Sequence, residues 1–194
     1  MMFWKMRWLF WFGLALLSIS CQPYTFKGTE YPEGISAEEF TLATTEGRSF
    51  RLSDQRGKVV LMFFGFTSCP DVCPTTMAEA KRILEGLGED TQNVRFVFIT
   101  VDPERDTPER LGEYVSNFHP EIVGLTGTSE ELQTMFDAYG IYAAKVPLEN
   151  SAAEYTMEHS ARVFLVDQDG RLRLSYAFGT PDEEILQDVQ YLLQ

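Results

Sequence analysis

The chain has 194 residues, 44% of them hydrophobic, which suits one domain with a substantial core once an N-terminal segment is set aside. Sixteen basic side chains stand against 29 acidic ones, a formal net charge of −13. A phosphate backbone needs a basic face, so this balance argues against a nucleic-acid partner and reads as a solvated surface.

Residues 1–21 read as a signal or membrane-anchor segment. Lys5 and Arg7 precede an uncharged apolar run from Trp8 to Ile19. That run is short of the roughly 20 residues that span a bilayer and matches a signal h-region. Leu17-Ser18-Ile19-Ser20-Cys21 resembles a bacterial lipoprotein cleavage site, with Ser18 where a leucine is usual. A lipid anchor on Cys21 is favoured over an uncleaved helical anchor. Either one tethers the folded part to a bacterial cell membrane, facing outside the cytoplasm. Residues 22–35 carry Gly, Pro and polar side chains as a linker does, and the folded domain is expected over 36–194.

Glu38 to Leu52 reads as a hairpin, with Phe40 and Leu42 on one arm, Thr45-Glu46-Gly47 at the turn and Phe50 and Leu52 on the other. Val59 to Phe64 is short, apolar and without helical period, so it reads as a buried strand. After a turn holding Cys69 and Cys73, Met77, Ala80, Ile83, Leu84 and Leu87 fall at helical spacing. Val94 to Val101 is a second buried strand, ended by Asp102-Pro103. Thr107-Pro108 opens a helix with Leu111, Tyr114, Val115 and Phe118 on one face. Ile122 to Leu125 reads as a short strand, and Thr128 to Glu131 as a capping box ahead of a helix stopped by Gly140. Residues 146–154 read as a polar loop. Ala161 to Val166 and Leu172 to Phe178 pair around the turn Asp167-Gln168-Asp169-Gly170, and Thr180-Pro181-Asp182-Glu183 opens the last helix. Strands alternating with helices, then a closing hairpin and helix, indicate an α/β fold around a mixed sheet.

The chemistry concentrates between Phe63 and Thr76. Pro74 suits the first helical position, which would leave Cys73 at or beside the N-cap. Unpaired backbone N–H groups and the helix dipole there favour a thiolate, so by position Cys73 is expected to ionise more readily than Cys69, against which stands the greater exposure open to Cys69. Three cysteines are an odd count; an anchor on Cys21 accounts for the odd one and leaves Cys69 and Cys73 as a pair. A cysteine pair at the first strand–helix junction is the arrangement of thioredoxin-like folds.

Phe64-Gly65-Phe66-Thr67-Ser68-Cys69-Pro70-Asp71-Val72-Cys73-Pro74 resembles the signature of the Sco/SenC proteins, thioredoxin-like copper-handling proteins of cytochrome oxidase assembly. Thr100 to Pro108 and Gly124 to Thr128 are similar to their second and third motifs. Tyr155 with Glu158-His159-Ser160, ahead of Phe164 to Gly170, resembles the fourth, which carries the family's histidine and more often has Asp where Glu158 stands. Four motifs in order make the resemblance specific over residues 36–193.

The resemblance implies a thioredoxin-like fold, a central mixed sheet flanked by helices with an N-terminal hairpin. It implies copper, as Cu(I), Cu(II) or both, on Cys69, Cys73 and His159, a soft S₂N set. The turn before the late strand faces the cysteine pair in such folds, which places His159 there. Metal loading and disulfide formation compete for the same two sulfurs.

His119, at a helix end, is better read as a C-terminal cap. Asp71 is balanced between tuning the sulfurs or meeting a partner and simply forming the turn. Asp102, Arg105 and Asp106 read either as groups supporting the metal ligands from behind or as a loop ion pair, and the structural role is favoured.

The first function implied is a metallochaperone for the binuclear copper centre of cytochrome c oxidase. Its partners would be the oxidase's copper-centre subunit and another copper chaperone or thiol reductant. The alternative is a thiol–disulfide oxidoreductase using Cys69 and Cys73 as a redox-active pair without copper transfer. A peroxiredoxin-type peroxidase ranks third, because Thr67-Ser68-Cys69 lacks the proline that chemistry wants before its cysteine.

Overall fold

The computed structural model describes residues 23–149 and 151–194. The anchor segment and Cys21 lie outside the described residues. No described helix is long and apolar enough to cross a membrane.

In chain order the elements are β1 (Thr29–Glu30), β2 (Thr41–Thr44), β3 (Ser49–Arg51), β4 (Val59–Gly65), α1 (Val72–Leu87), β5 (Val94–Thr100), α2 (Pro108–Ser116), β6 (Ile122–Thr126), α3 (Ser129–Tyr139), β7 (Ala143–Pro147), β8 (Tyr155–His159), β9 (Arg162–Val166), β10 (Leu172–Ala177) and α4 (Asp182–Leu192). Eight strands form one mixed sheet in the order β1-β10-β9-β4-β5-β6-β2-β3. β4 runs parallel to β5, and β5 to β6, while β9 returns antiparallel on the other side of β4. Both faces of β4 are covered, so all seven of its residues are buried. That is why its sequence is a continuous apolar run rather than an alternation. The expected hairpin is β2–β3, paired Thr41 to Arg51, with Gly47 in its turn at φ +76°. The capping box on α3 is present in both directions, between the Thr128 and Glu131 side chains and each other's backbone N–H groups.

Two stretches differ from their sequence reading. Residues 24–31 were expected to behave as linker, yet they lie against the domain. β1 pairs antiparallel with β10. Asp188 on α4, wholly buried, accepts from the Tyr24 hydroxyl at 2.7 Å, the Lys27 and Gly28 N–H groups at 3.0 and 3.1 Å, and the Tyr176 hydroxyl at 3.0 Å. A Cβ on Gly28 would stand 2.7 Å from the Tyr176 ring, so the close approach needs glycine. A buried carboxylate requires such partners, and the chain before β1 supplies three of the four donors.

The second difference is β7–β8. Residues 146–154 were expected as loop, but residues 146 and 147 belong to a strand: Ala143–Pro147 and Tyr155–His159 form a separate two-stranded antiparallel sheet, Ala143 opposite His159 and Pro147 opposite Tyr155. Its strands are half-buried to exposed and show no clean alternation, so nothing periodic marks them. His159 therefore closes a strand instead of sitting in a turn.

Candidate metal centre

β4 delivers the chain to Gly65, where the site begins. A Cβ there would stand 3.0 Å from the Cys73 sulfur and 2.9 Å from the Phe98 ring, so only glycine lets the helix bring Cys73 this close to the strand end. Phe66 is buried, and the Cys69 N–H donates back to its carbonyl at 3.2 Å to close the turn. Thr67 is held from another loop. Its N–H and hydroxyl donate to the Asp106 carboxylate at 3.1 and 2.6 Å, and Thr100 donates its hydroxyl to the same group at 2.7 Å. Burial outweighs these bonds and pushes the Asp106 carboxyl above its usual range.

The helix starts two residues earlier relative to Cys73 than the proline position indicates. Asp71 is the N-cap and makes no side-chain cap bond, Cys73 is the second helical residue and Pro74 the third. The Cys69 sulfur takes the acceptor role, receiving the Cys73 N–H at 3.3 Å. This reverses the expected order of ionisation. A hydrogen bond from the Cys73 thiol, with further ones from the Asp71 and Cys73 N–H groups, pulls the half-buried Cys69 thiol down to about 4. Its hydrogen bond to Cys69 and its complete burial push the Cys73 thiol up. Position at a helix start is therefore not what selects the thiolate; the N–H groups point at the sulfur that lies outside the helix.

His159 arrives from the end of β8. Its Nε2 lies 3.7 Å from the Cys73 sulfur, and its Nδ1 is 3.1 Å from the Ser160 carbonyl. A carbonyl only accepts, so Nδ1 carries the hydrogen, and in the neutral ring the free lone pair at Nε2 faces the sulfurs. The ring stands edge-on to Phe66 at 5.7 Å and Phe63 at 6.3 Å, which fixes its plane against the core. The ligand atoms of Cys69, Cys73 and His159 all lie within 4.8 Å of one another, and both cysteines are free thiols. Two sulfurs and one imidazole nitrogen at this spacing fit a soft or borderline ion.

The other sequence candidates lie elsewhere. His119 accepts the Glu121 N–H on Nδ1 at 3.2 Å, which shapes the turn after α2. Asp71 is exposed at the helix start. Asp102 and Asp106 are both buried in the loop after β5, in hydrogen-bonded positions. The Thr67–Asp106 link, and that of Arg110 to the Ser68 hydroxyl at 2.9 Å, join residues about 40 apart; no local pattern announces them.

This fold with this centre defines a thioredoxin-like protein that groups a cysteine pair and a histidine at the first strand–helix junction. Residues 29–194 match the SCO1/SenC family, and the chain belongs to it. An SCO2-like protein of Rickettsia prowazekii is 38% identical over 148 residues, 76% of this chain and 72% of its own length. The copper-bound structure of ScoI from Bradyrhizobium japonicum superposes with a TM-score of 0.74 at 38% identity, covering 82% of this chain and 99% of that one. BsSco, a member of the Sco family of cytochrome c oxidase assembly proteins with a disulfide switch, superposes at 0.65 with 25% identity, covering 85% and 97%.

Proposed function

We propose that this chain is a copper-binding assembly factor for the binuclear copper centre of cytochrome c oxidase, carrying copper as cargo on Cys69, Cys73 and His159. The observation that carries the reading is the convergence of two sulfurs and one imidazole nitrogen within 4.8 Å, one sulfur already favoured as thiolate. Cu(I) is soft and accepts few ligands, so S₂N satisfies it; imidazole also ranks high for Cu(II). Cys69, half-exposed, is the sulfur that meets an incoming ligand or acceptor. Cys73, buried, gives up its proton on loading. The copper-bound relative and the oxidase-assembly relative support this reading.

A lipid anchor on Cys21 would hold this domain at the outer side of a bacterial membrane, beside the copper-centre subunit of the oxidase; mass spectrometry of the mature N-terminus tests it. A second reading, a thiol–disulfide reductase, is favoured by the Cys69 thiolate beside a protonated Cys73. Cys69 would attack one sulfur of a partner disulfide, breaking that bond, releasing the other sulfur as a thiolate and forming a mixed disulfide. Cys73 would then attack Cys69, its proton passing to the departing partner thiolate, leaving the pair oxidised and the partner reduced by two electrons.

The test is copper content after anaerobic loading, with the sulfur-to-copper charge-transfer band of the Cu(II) form. One copper per chain is expected, none in Cys69→Ala or Cys73→Ala, and a displaced band with weaker binding in His159→Ala. Parent-like binding and spectrum in His159→Ala would falsify the ligand set.

A further inference from the structure

The half of the site that carries His159 is weakly built. β7–β8 shares no strand pairing with the main sheet, and an isolated two-stranded hairpin is marginal in water. At its base the Ser160 N–H donates to the Tyr142 carbonyl at 2.9 Å, and the Tyr142 N–H to the Ser160 hydroxyl at 3.0 Å. Ala143 and Met157 pack on the core, Lys145 reaches Glu104 at 2.5 Å and lies 4.7 Å over the Tyr155 ring, and at the far end a buried cluster fastens the arm. Arg105 donates from Nε to the buried Asp102 carboxylate at 2.5 Å, and from Nη1 to the Tyr155 and Ala153 carbonyls at 2.8 and 3.3 Å. Its guanidinium lies 3.7 Å over the Tyr155 ring, whose hydroxyl donates to the other Asp102 oxygen at 2.8 Å.

We infer that Asp102, Arg105 and Tyr155 are positioning residues for His159: they brace the β7–β8 arm so that its imidazole is set against the two sulfurs before copper arrives. The inference rests on the copper reading of the site. Tyr155 begins β8 and His159 ends it, about 13 Å along a stiff strand at roughly 3.3 Å per residue. Fixing one end and the base fixes where the ring sits. The same loop after β5 also carries Asp106, which holds Thr67 in the cysteine turn. One short segment therefore grips both halves of the site and keeps them in register, as the groups behind a ligating histidine do in metal centres. Arginine suits the position because its planar fork reaches a carboxylate and two carbonyls at once, which a lysine ammonium cannot match.

The experiment measures Cu(I) affinity by chelator competition, and amide hydrogen exchange of the reduced, metal-free protein, for Arg105→Met and Tyr155→Phe. Tyr155→Phe keeps the ring and removes one hydroxyl, so it reports even if Arg105→Met folds poorly. Arg105→Met is expected to weaken copper about tenfold, the lower end for such supporting groups, and Tyr155→Phe less. Arg105→Lys restores part of the loss. Exchange is expected to quicken in 143–147 and 155–159 while β4 and β5 stay protected. In a His159→Ala background, Arg105→Met should have no further effect on affinity, because the brace acts only through the histidine. An equal loss with and without His159, or unchanged affinity together with unchanged exchange in the arm, overturns the inference. If His159→Ala alone leaves affinity unchanged, the ligand assignment has failed instead.

Discussion

The two halves of the candidate metal centre are held by different physics. The cysteine turn grows out of β4, whose residues are all buried, and is covered by Phe66, Phe98 and α1. The histidine arm is a two-stranded sheet with an exposed outer face, including Tyr142 at 57% exposure, and polar groups fasten it. One half is positioned by apolar burial over many residues; the other depends on two packed apolar side chains, a few hydrogen bonds and two ion pairs. Stability therefore concentrates on the sulfur side, and adaptability on the nitrogen side. Under the proposed carrier function, such a division would let one ligand move during uptake and release without unfolding the rest.

The largest expected break comes from the sulfur side. Phe63→Ala removes a fully buried ring that packs on Phe98 and His159, and should lower unfolding stability by about 3–5 kcal/mol in denaturant titration. Tyr142→Ala on the arm should stay within about 0.5 kcal/mol. Similar losses for both would abolish the distinction.

Copper should narrow it. Metal at a hundredfold excess over its dissociation constant should stabilise the reduced protein by about 2.7 kcal/mol, seen as a higher melting temperature and slower amide exchange in the arm. The oxidised protein, its sulfurs consumed in the disulfide, should gain nothing. Equal stabilisation of both forms would place the metal on surface carboxylates.

A smaller effect tests the link from the loop after β5 to the cysteine turn. Asp106→Ala leaves the Thr67 N–H and two hydroxyls without their acceptor and should reduce stability by about 1–3 kcal/mol. Parent-like stability would mean that the turn holds itself.

The smallest perturbation changes no contact. In the reduced protein, Cys69 should be alkylated by iodoacetamide at pH 6 and slow only as pH falls toward about 4, where its thiolate is lost. Cys73 should stay unreactive across this range, because burial and its hydrogen bond keep it protonated. Faster labelling of Cys73 would restore the order expected from helix position. The thiolate form of Cys69 is favoured by folding, so this contribution to stability is present above the ordinary thiol value and fades as pH falls toward about 4.

Much of this was legible locally. The run Val59 to Phe64 marked a buried strand, the spacing of Met77, Ala80, Ile83, Leu84 and Leu87 a helix, and Cys69 and Cys73 between them a thiol site at the junction. The β2–β3 hairpin and the α3 capping box also stood where their turn and cap residues put them. These features follow from period, propensity and short-range hydrogen bonding, which a sequence displays directly.

Three others needed the tertiary structure. The stretch before β1 became part of the domain because a buried carboxylate 160 residues away lacked donors. The β7–β8 arm formed without an alternating pattern, because only Ala143 and Met157 of its apolar residues pack on the core and the rest of its support comes from Arg105, Asp102 and the Lys145–Glu104 pair. The choice of Cys69 over Cys73 as the thiolate turned on which sulfur the Cys73 N–H and thiol point at, and on which one the core buries. Each depends on distances between residues far apart in the chain or on the direction of a single bond. Composition and periodicity fix where an element forms; they carry no information about which polar atom ends up facing which charge.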